Sequence, residues 1–173
     1  MRTQPHWIRI WRPALALLLP IVLAACAPPP LYKSSGASSV NATPQQVATA
    51  PTNFGHLEVV WGGRVIAVRN FAHHTEIRIL AYPLDSSQRP RLRQPATGRF
   101  IASMPGFVEP LNYPGGSLVT VRGTLDGTRQ GKVGKASYTF VLVRASALHY
   151  WTPAEMRQGH PAIGFGVGVG AGG

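Results

Sequence analysis

Asp85, Ser86, Ser87 and His149 are the residue types of a hydrolytic triad, in which a histidine takes the proton of a serine hydroxyl and a carboxylate orients the ring. No Gly-x-Ser-x-Gly elbow or comparable context surrounds either serine, so a turn aspartate and a strand-end histidine are the expected roles. His73-His74 offers two imidazoles to a metal. Adjacent strand residues face opposite sides, however, and no cysteine or carboxylate cluster completes a shell; a solvated turn is expected and a metal site is not. The stretch Gly127-Thr128-Arg129-Gln130-Gly131-Lys132-Val133 approaches a phosphate loop. A phosphate loop needs four residues between its glycines and a Ser or Thr after the lysine to hold Mg²⁺; here three residues intervene and Val133 follows. Gly164, Gly166, Gly168 and Gly170 carry dinucleotide-like spacing, but no helix can follow them to receive a pyrophosphate. The acidic residues stand one at a time, which disfavours paired-carboxylate catalysis. No enzymatic activity, catalytic residue or cofactor is expected.

Cys26, the single cysteine, is the residue with the most specific surroundings. Arg2, Arg9 and Arg12 form a positive head, and residues 14–22 are apolar apart from Pro20. The apolar run is too short to span a bilayer, which takes about 20 residues of helix. Residues 1–25 therefore read as a secretory signal peptide. The sequence Leu23-Ala24-Ala25-Cys26 resembles the lipobox of bacterial lipoproteins. That resemblance implies cleavage before Cys26, diacylglycerol on its thiol and acylation of the new N-terminus. One acyl chain binds a membrane marginally, whereas two or three hold it for good, at about 0.8 kcal/mol per buried methylene. Ala27 stands where an Asp commonly retains such proteins in the inner membrane, which favours the outer membrane. With no second cysteine, no intramolecular disulfide is available, so stability must come from packing.

Lys and Arg number 17 against 6 Asp and Glu, a net charge of +11. Without Arg2, Arg9 and Arg12 the balance is 14 against 6, or +8. The densest group is Arg89, Arg91 and Arg93 with Arg99. An envelope protein with such a charge meets anionic lipid before nucleic acid, so these four arginines are candidate contacts for an anionic envelope component and no nucleic-acid partner is expected.

The elements that would position these residues follow in order. Residues 26–54 are rich in Pro, Ser, Ala, Thr, Asn and Gln and read as a lipidated flexible tether. Residues 55–152 form the domain. Residues 57–69, 75–82, 99–104, 117–125 and 137–150 are strand candidates, rich in β-branched and aromatic residues. Gly62-Gly63 falls inside the first of them, as a barrel corner requires. Residues 83–95 read as an exposed basic loop, and residues 126–135 as a turn and loop. No sustained 3.6-residue apolar period occurs between Leu57 and Trp151. The expected fold is all-β, a small five- to six-stranded, partly open barrel of the OB kind, with a sandwich as the competing topology. Residues 153–173 comprise a short helix or turn, for which Thr152, Pro153 and Glu155 spell a capping box, and a glycine-rich tail. Trp61, Tyr82, Phe100, Phe107, Tyr138, Phe140 and Trp151 sit at spacings that suit core filling better than a base-stacking platform.

Taken together, the Cys26 lipobox, Trp61-Gly62-Gly63 with Val65-Ile66, Pro83-Leu84-Asp85, Arg89-Pro90-Arg91-Leu92, Gly98-Arg99-Phe100, Pro105-Gly106-Phe107, Val119-Thr120-Val121-Arg122-Gly123-Thr124-Leu125, Gly131-Lys132-Val133-Gly134 and Leu148-His149-Tyr150-Trp151 resemble the Slp (starvation-inducible) family of outer-membrane lipoproteins. The resemblance implies a lipid-anchored protein of the Gram-negative outer membrane, linked to stationary phase or stress, without cofactor. Cys26 is the one functional residue it carries over.

Overall fold

The computed structural model describes residues 29–33 and 40–157; Cys26, the signal segment and the glycine-rich tail lie outside the described residues. Five strands carry the fold: β1 (Glu58–Asn70), β2 (His74–Tyr82), β3 (Gly98–Pro105), β4 (Leu118–Val133) and β5 (Ala136–Trp151). β1 pairs antiparallel with both β2 and β4, β2 with β3, and β4 with β5. A short parallel patch, Phe100–Ser103 against Val141–Arg144, joins β3 to β5 and shuts the ring in the order β1-β2-β3-β5-β4. The expected all-β barrel is thus observed, closed where a partly open one was expected. Strand order decides barrel over sandwich.

Side-chain alternation explains why the ring has an inside. In β2, Thr75, Ile77, Ile79 and Ala81 are buried, while His74, Glu76, Arg78, Leu80 and Tyr82 alternate with them on the outer face. Val59, Trp61 and Val65 of β1, Phe100 of β3, Val119 and Val121 of β4, and Val141 and Val143 of β5 fill the same core. Trp61 meets Phe100 edge-on, ring centroids 5.3 Å apart. Beside Trp61 the chain approaches β2 so closely that a Cβ on Gly63 would lie 2.0 Å from the Leu80 carbonyl oxygen. Only glycine permits that corner.

Three expectations are corrected. Residues 126–133 are strand, not loop: β4 continues past a bulge between Leu125 and Thr128, and pairs with β5 until Val133 meets Ala136. The two-residue turn Gly134-Lys135, with Gly134 at φ 61°, closes this long hairpin in the II′ manner. Its polar residues hid it, because none of residues 126–133 is fully buried. Residues 83–95 are a loop, but not one exposed throughout, since Ser87 and Arg89 are buried. Leu84 and Pro90 form a bridge, Asp85 and Arg89 are joined backbone to backbone, and Gln88 turns the chain at φ 65°.

The third correction concerns residues 40–54, expected as tether. They pack on the barrel as a strap containing helix α1 (Pro44–Thr49), whose capping box pairs Thr43 with Gln46. Val47 enters the core at 2% exposure, the Trp61 indole donates to the Ala42 carbonyl at 2.7 Å, and Gln45 N donates to the Thr97 carbonyl. A few well-placed apolar and backbone contacts outweigh a composition that suggests disorder. At the chain's far end α2 (Pro153–Arg157) follows Thr152, whose amide and hydroxyl both donate to the Glu155 carboxylate at 2.8 Å.

Candidate functional site

The four arginines grouped by sequence separate in space. Arg89 turns inward: 9% exposed, it donates from Nε to Asp85 Oδ2 at 2.9 Å and from Nη1 to the Glu155 carbonyl at 3.3 Å. Asp85 Oδ1 accepts the Ser87 and Arg89 amides, so this carboxylate organises the loop. Arg91 and Arg93 are exposed on that loop. Arg99 lies on β3, facing a different part of the surface. Arg89 is therefore a structural residue and not a free contact for an anion.

The triad types likewise do not assemble. His149 Nε2 lies 3.2 Å from Glu155 Oε1, off the line of a hydrogen bond, and its ring meets Trp151 edge-on at 4.4 Å. The Thr152 amide and hydroxyl hold the Glu155 carboxyl below its usual range, assisted by His149. Ser87 Oγ is buried without a hydrogen-bond partner among the described residues. His74 stacks on Phe71 at 4.7 Å and approaches Glu76 at 3.6 Å, while His73 is exposed. No group of three or more His, Cys, Asp or Glu side chains converges among the described residues. Among the aromatics, Trp61, Phe100, Phe140 and Trp151 are buried, but Phe107 is 70% exposed and not core.

Two arrangements stand out, at opposite ends of β2. At its C-terminal end the loop, Tyr32 and the barrel are knotted together by polar contacts. Gln88 pairs with the Tyr32 backbone on both sides, donating to its carbonyl and accepting from its amide at 2.7 Å each. The Gln88 carbonyl accepts from Thr120 Oγ1 at 2.7 Å, and that hydroxyl accepts from the Trp151 indole at 2.8 Å. Arg122 sits 5.6 Å over the Tyr32 ring, and burial pushes the Tyr32 hydroxyl up while Arg122 pulls it back.

Toward the other end, the β4–β5 arm comes over the outer face of β2 and β3. Arg129 grips Glu76 with both guanidinium nitrogens, at 2.9 and 2.7 Å. The Arg129 hydrogen bonds hold the Glu76 carboxyl below its usual range against the opposing effect of burial, and the same pair raises Arg129. Under the arm lie two cavities of about 420 and 180 Å³ that share Arg78, Lys132 and Phe140 as lining. Arg69 borders the larger and Arg99 the smaller. The sequence reading missed this groove because its cations are scattered over four strands. The period-2 pattern of β2 does place Glu76 and Arg78 on one outer face, the single signal available.

Comparison with known proteins gives consistent results. The chain matches the model of a family described as outer membrane lipoprotein Slp family over residues 23–166. It is 38% identical over 113 residues to "Uncharacterized lipoprotein YeaY" of Escherichia coli K12, covering 63% of this chain and 58% of that protein, so somewhat more than half of that relative's length is matched. Identity to "Outer membrane protein Slp" of the same organism is 32% over 144 residues, covering 83% of this chain and 76% of that protein. A solved structure, the small single-stranded DNA-binding protein from Streptomyces coelicolor, aligns at TM-score 0.36 and 17% identity over 56% of this chain and 94% of that one.

Proposed function

The chain belongs to the outer membrane lipoprotein Slp family, and on that premise we propose that Cys26 carries a lipid anchor and that the barrel is a non-enzymatic envelope module with a structural, stress-related role. As a family member it is an envelope lipoprotein of the Gram-negative outer membrane. The observation that carries the finer reading is positional. The matched region opens at residue 23, so it takes in Leu23-Ala24-Ala25-Cys26, and the strap and barrel follow in the same match.

The Tyr32–Gln88 clamp sharpens how such an anchor would act. Tyr32 stands six positions after Cys26, and a fully extended stretch of that length reaches about 20 Å. A long tether would let the barrel wander; this clamp supports a barrel held close to the leaflet, with the loop that contains Gln88 toward it. Arg91, Leu92 and Arg93 are exposed on that loop and suit an anionic head-group layer. The alternative of a module that binds an anionic component through Arg89, Arg91, Arg93 and Arg99 is reduced to Arg91 and Arg93, since Arg89 is engaged and Arg99 belongs to the groove.

The test is intact mass and membrane fractionation of the wild type and Cys26→Ser in a Gram-negative host. Removal of the signal, an acylated N-terminus and outer-membrane density in the wild type, all lost in Cys26→Ser, are the expected results. Unmodified wild-type chain free in the periplasm would overturn the anchor.

A further inference from the structure

The groove beneath the β4–β5 arm has a charge problem that nothing among the described residues solves. Arg78 and Lys132 line both of its cavities, Arg99 the smaller one and Arg69 the larger. Its one carboxylate, Glu76, is taken by Arg129. The remaining acids are engaged or placed elsewhere: Asp85 with Arg89, Asp126 with Arg144, Glu155 with His149, Glu58 at the start of β1, and Glu109 at the 3₁₀ turn Pro110–Asn112. Arg78 Nε is buried and lacks an acceptor among the described residues. Guanidinium donors lining a cavity whose one carboxylate is already engaged are what an oxyanion with several oxygens satisfies, and Arg in particular takes such oxyanions in a planar, two-pronged fashion.

We propose that this groove is a binding site for a phosphorylated anionic ligand, with Arg78, Arg99 and Lys132 as the phosphate contacts and Arg69 at the rim. The aromatic surroundings favour phosphate over bases. Phe140 is 5% exposed against Tyr138, and Phe71, though exposed, already has His74 stacked at 4.7 Å and Arg69 at 5.8 Å from its ring, so the groove holds no unoccupied row of aromatic rings for successive bases. The envelope location proposed above makes the phosphorylated sugar head group of an outer-membrane glycolipid the expected source. That choice rests on the family reading, whereas the phosphate chemistry does not. The site is distinct from the Arg91–Arg93 loop, which lies past the other end of β2.

The experiment is calorimetric titration of the full processed chain in detergent micelles with three probes: a bis-phosphorylated glucosamine disaccharide, pyrophosphate, and a 15-nucleotide single strand of thymidylate. Proteins compared are the wild type, the combined Arg78→Gln, Arg99→Gln and Lys132→Gln variant, the combined Arg91→Gln and Arg93→Gln variant, and Lys132→Glu alone. The proposal expects saturable disaccharide binding that weakens with salt, falls about tenfold or more in the groove variant, falls in Lys132→Glu, and is unchanged in the loop variant. Lys132 is exposed, so Lys132→Glu keeps the test open should the combined variant not fold. Tighter disaccharide than pyrophosphate binding identifies a head group; equal affinities identify a free phosphate ligand, and both outcomes support the site. Wild-type affinity in the groove variants, loss in the loop variant alone, no binding of either phosphate probe, or tighter binding of the oligonucleotide would overturn it. Because none of these readouts requires acylation, the site can fail while the anchor stands, and the reverse.

Discussion

The two ends of β2 put arginines to opposite uses. Beyond Tyr82, Arg89 is folded under its own loop, satisfied by Asp85 and by the Glu155 carbonyl. At mid-strand, on the side of the β4–β5 arm, Arg78 stands with Lys132 and Arg99 around a cavity that offers them no acid. The same side-chain type stabilises the fold where its charge is answered inside the chain and becomes available for a ligand where it is not. Density of arginines along the sequence therefore does not by itself separate the two uses: within the Arg89–Arg93 cluster Arg89 is engaged inside the chain, while Arg91 and Arg93 are exposed.

The comparison can be broken most severely at the core that both ends share. Trp61→Ala removes a buried indole, its edge contact with Phe100 and the tie to Ala42, and should cost about 4 kcal/mol in denaturant unfolding. Next comes the strap. Gly98 sits at φ +126°, and a Cβ there would lie 2.8 Å from Gln45 N. Gly98→Ala should cost about 2 kcal/mol and raise amide exchange across Pro44–Thr49, leaving the β4–β5 arm protected. Unchanged exchange in α1 would mean that the strap is held independently of β3.

Arg89→Gln sharpens the contrast directly. It leaves the half-buried Asp85 carboxylate without its ion-pair partner and should cost about 2 kcal/mol. Arg78→Gln should cost less than about 0.5 kcal/mol, because it relieves like-charge crowding and breaks no ion pair. Equal losses at the two positions would end the distinction between a structural and a ligand-facing arginine.

Glu76→Gln lies between these, at about 1 kcal/mol, because the pair is two-pronged but Arg129 is 45% exposed and screened by solvent. Its pH dependence has a definite sign. The Glu76 carboxyl is held below its usual range in the folded chain, so its contribution is complete above the unfolded carboxyl value and lost as pH falls through the depressed folded value. The stability difference between wild type and Glu76→Gln should shrink on acidification below about pH 4.5 and shrink with added salt at neutral pH. A difference independent of pH would assign the loss to packing of the arm.

Much of the fold was legible in the residues. Alternation in residues 75–82 marked a half-buried strand, Gly62-Gly63 marked the corner, and Thr152, Pro153 and Glu155 marked the last helix. The strap was not legible, because Thr43-Pro44-Gln45-Gln46 spells a capping box within a stretch whose average polarity suggests disorder. A few contacts do the docking, among them buried Val47, the Ala42 carbonyl and the Gln45 amide, and composition averages them away. The outer half of the β4–β5 arm was missed for the related reason that residues 126–133, none of them fully buried, are mostly polar and show no apolar alternation to read.

What the sequence determined by itself is local: a positively charged head, an apolar run and Leu-Ala-Ala-Cys in order, strands whose inward residues repeat every second position, and the resemblance to a lipoprotein family. These depend on neighbours a few residues apart, so they need no knowledge of the fold. The tertiary structure alone decided which charges meet. Closing the ring through Phe100–Ser103 and Val141–Arg144 brings the arm over β2, sets Arg129 on Glu76 across 53 residues, and leaves Arg78, Arg99 and Lys132 facing a common space. Electrostatic partnership falls with distance in space and is indifferent to distance along the chain, so it could be settled only once the barrel had closed.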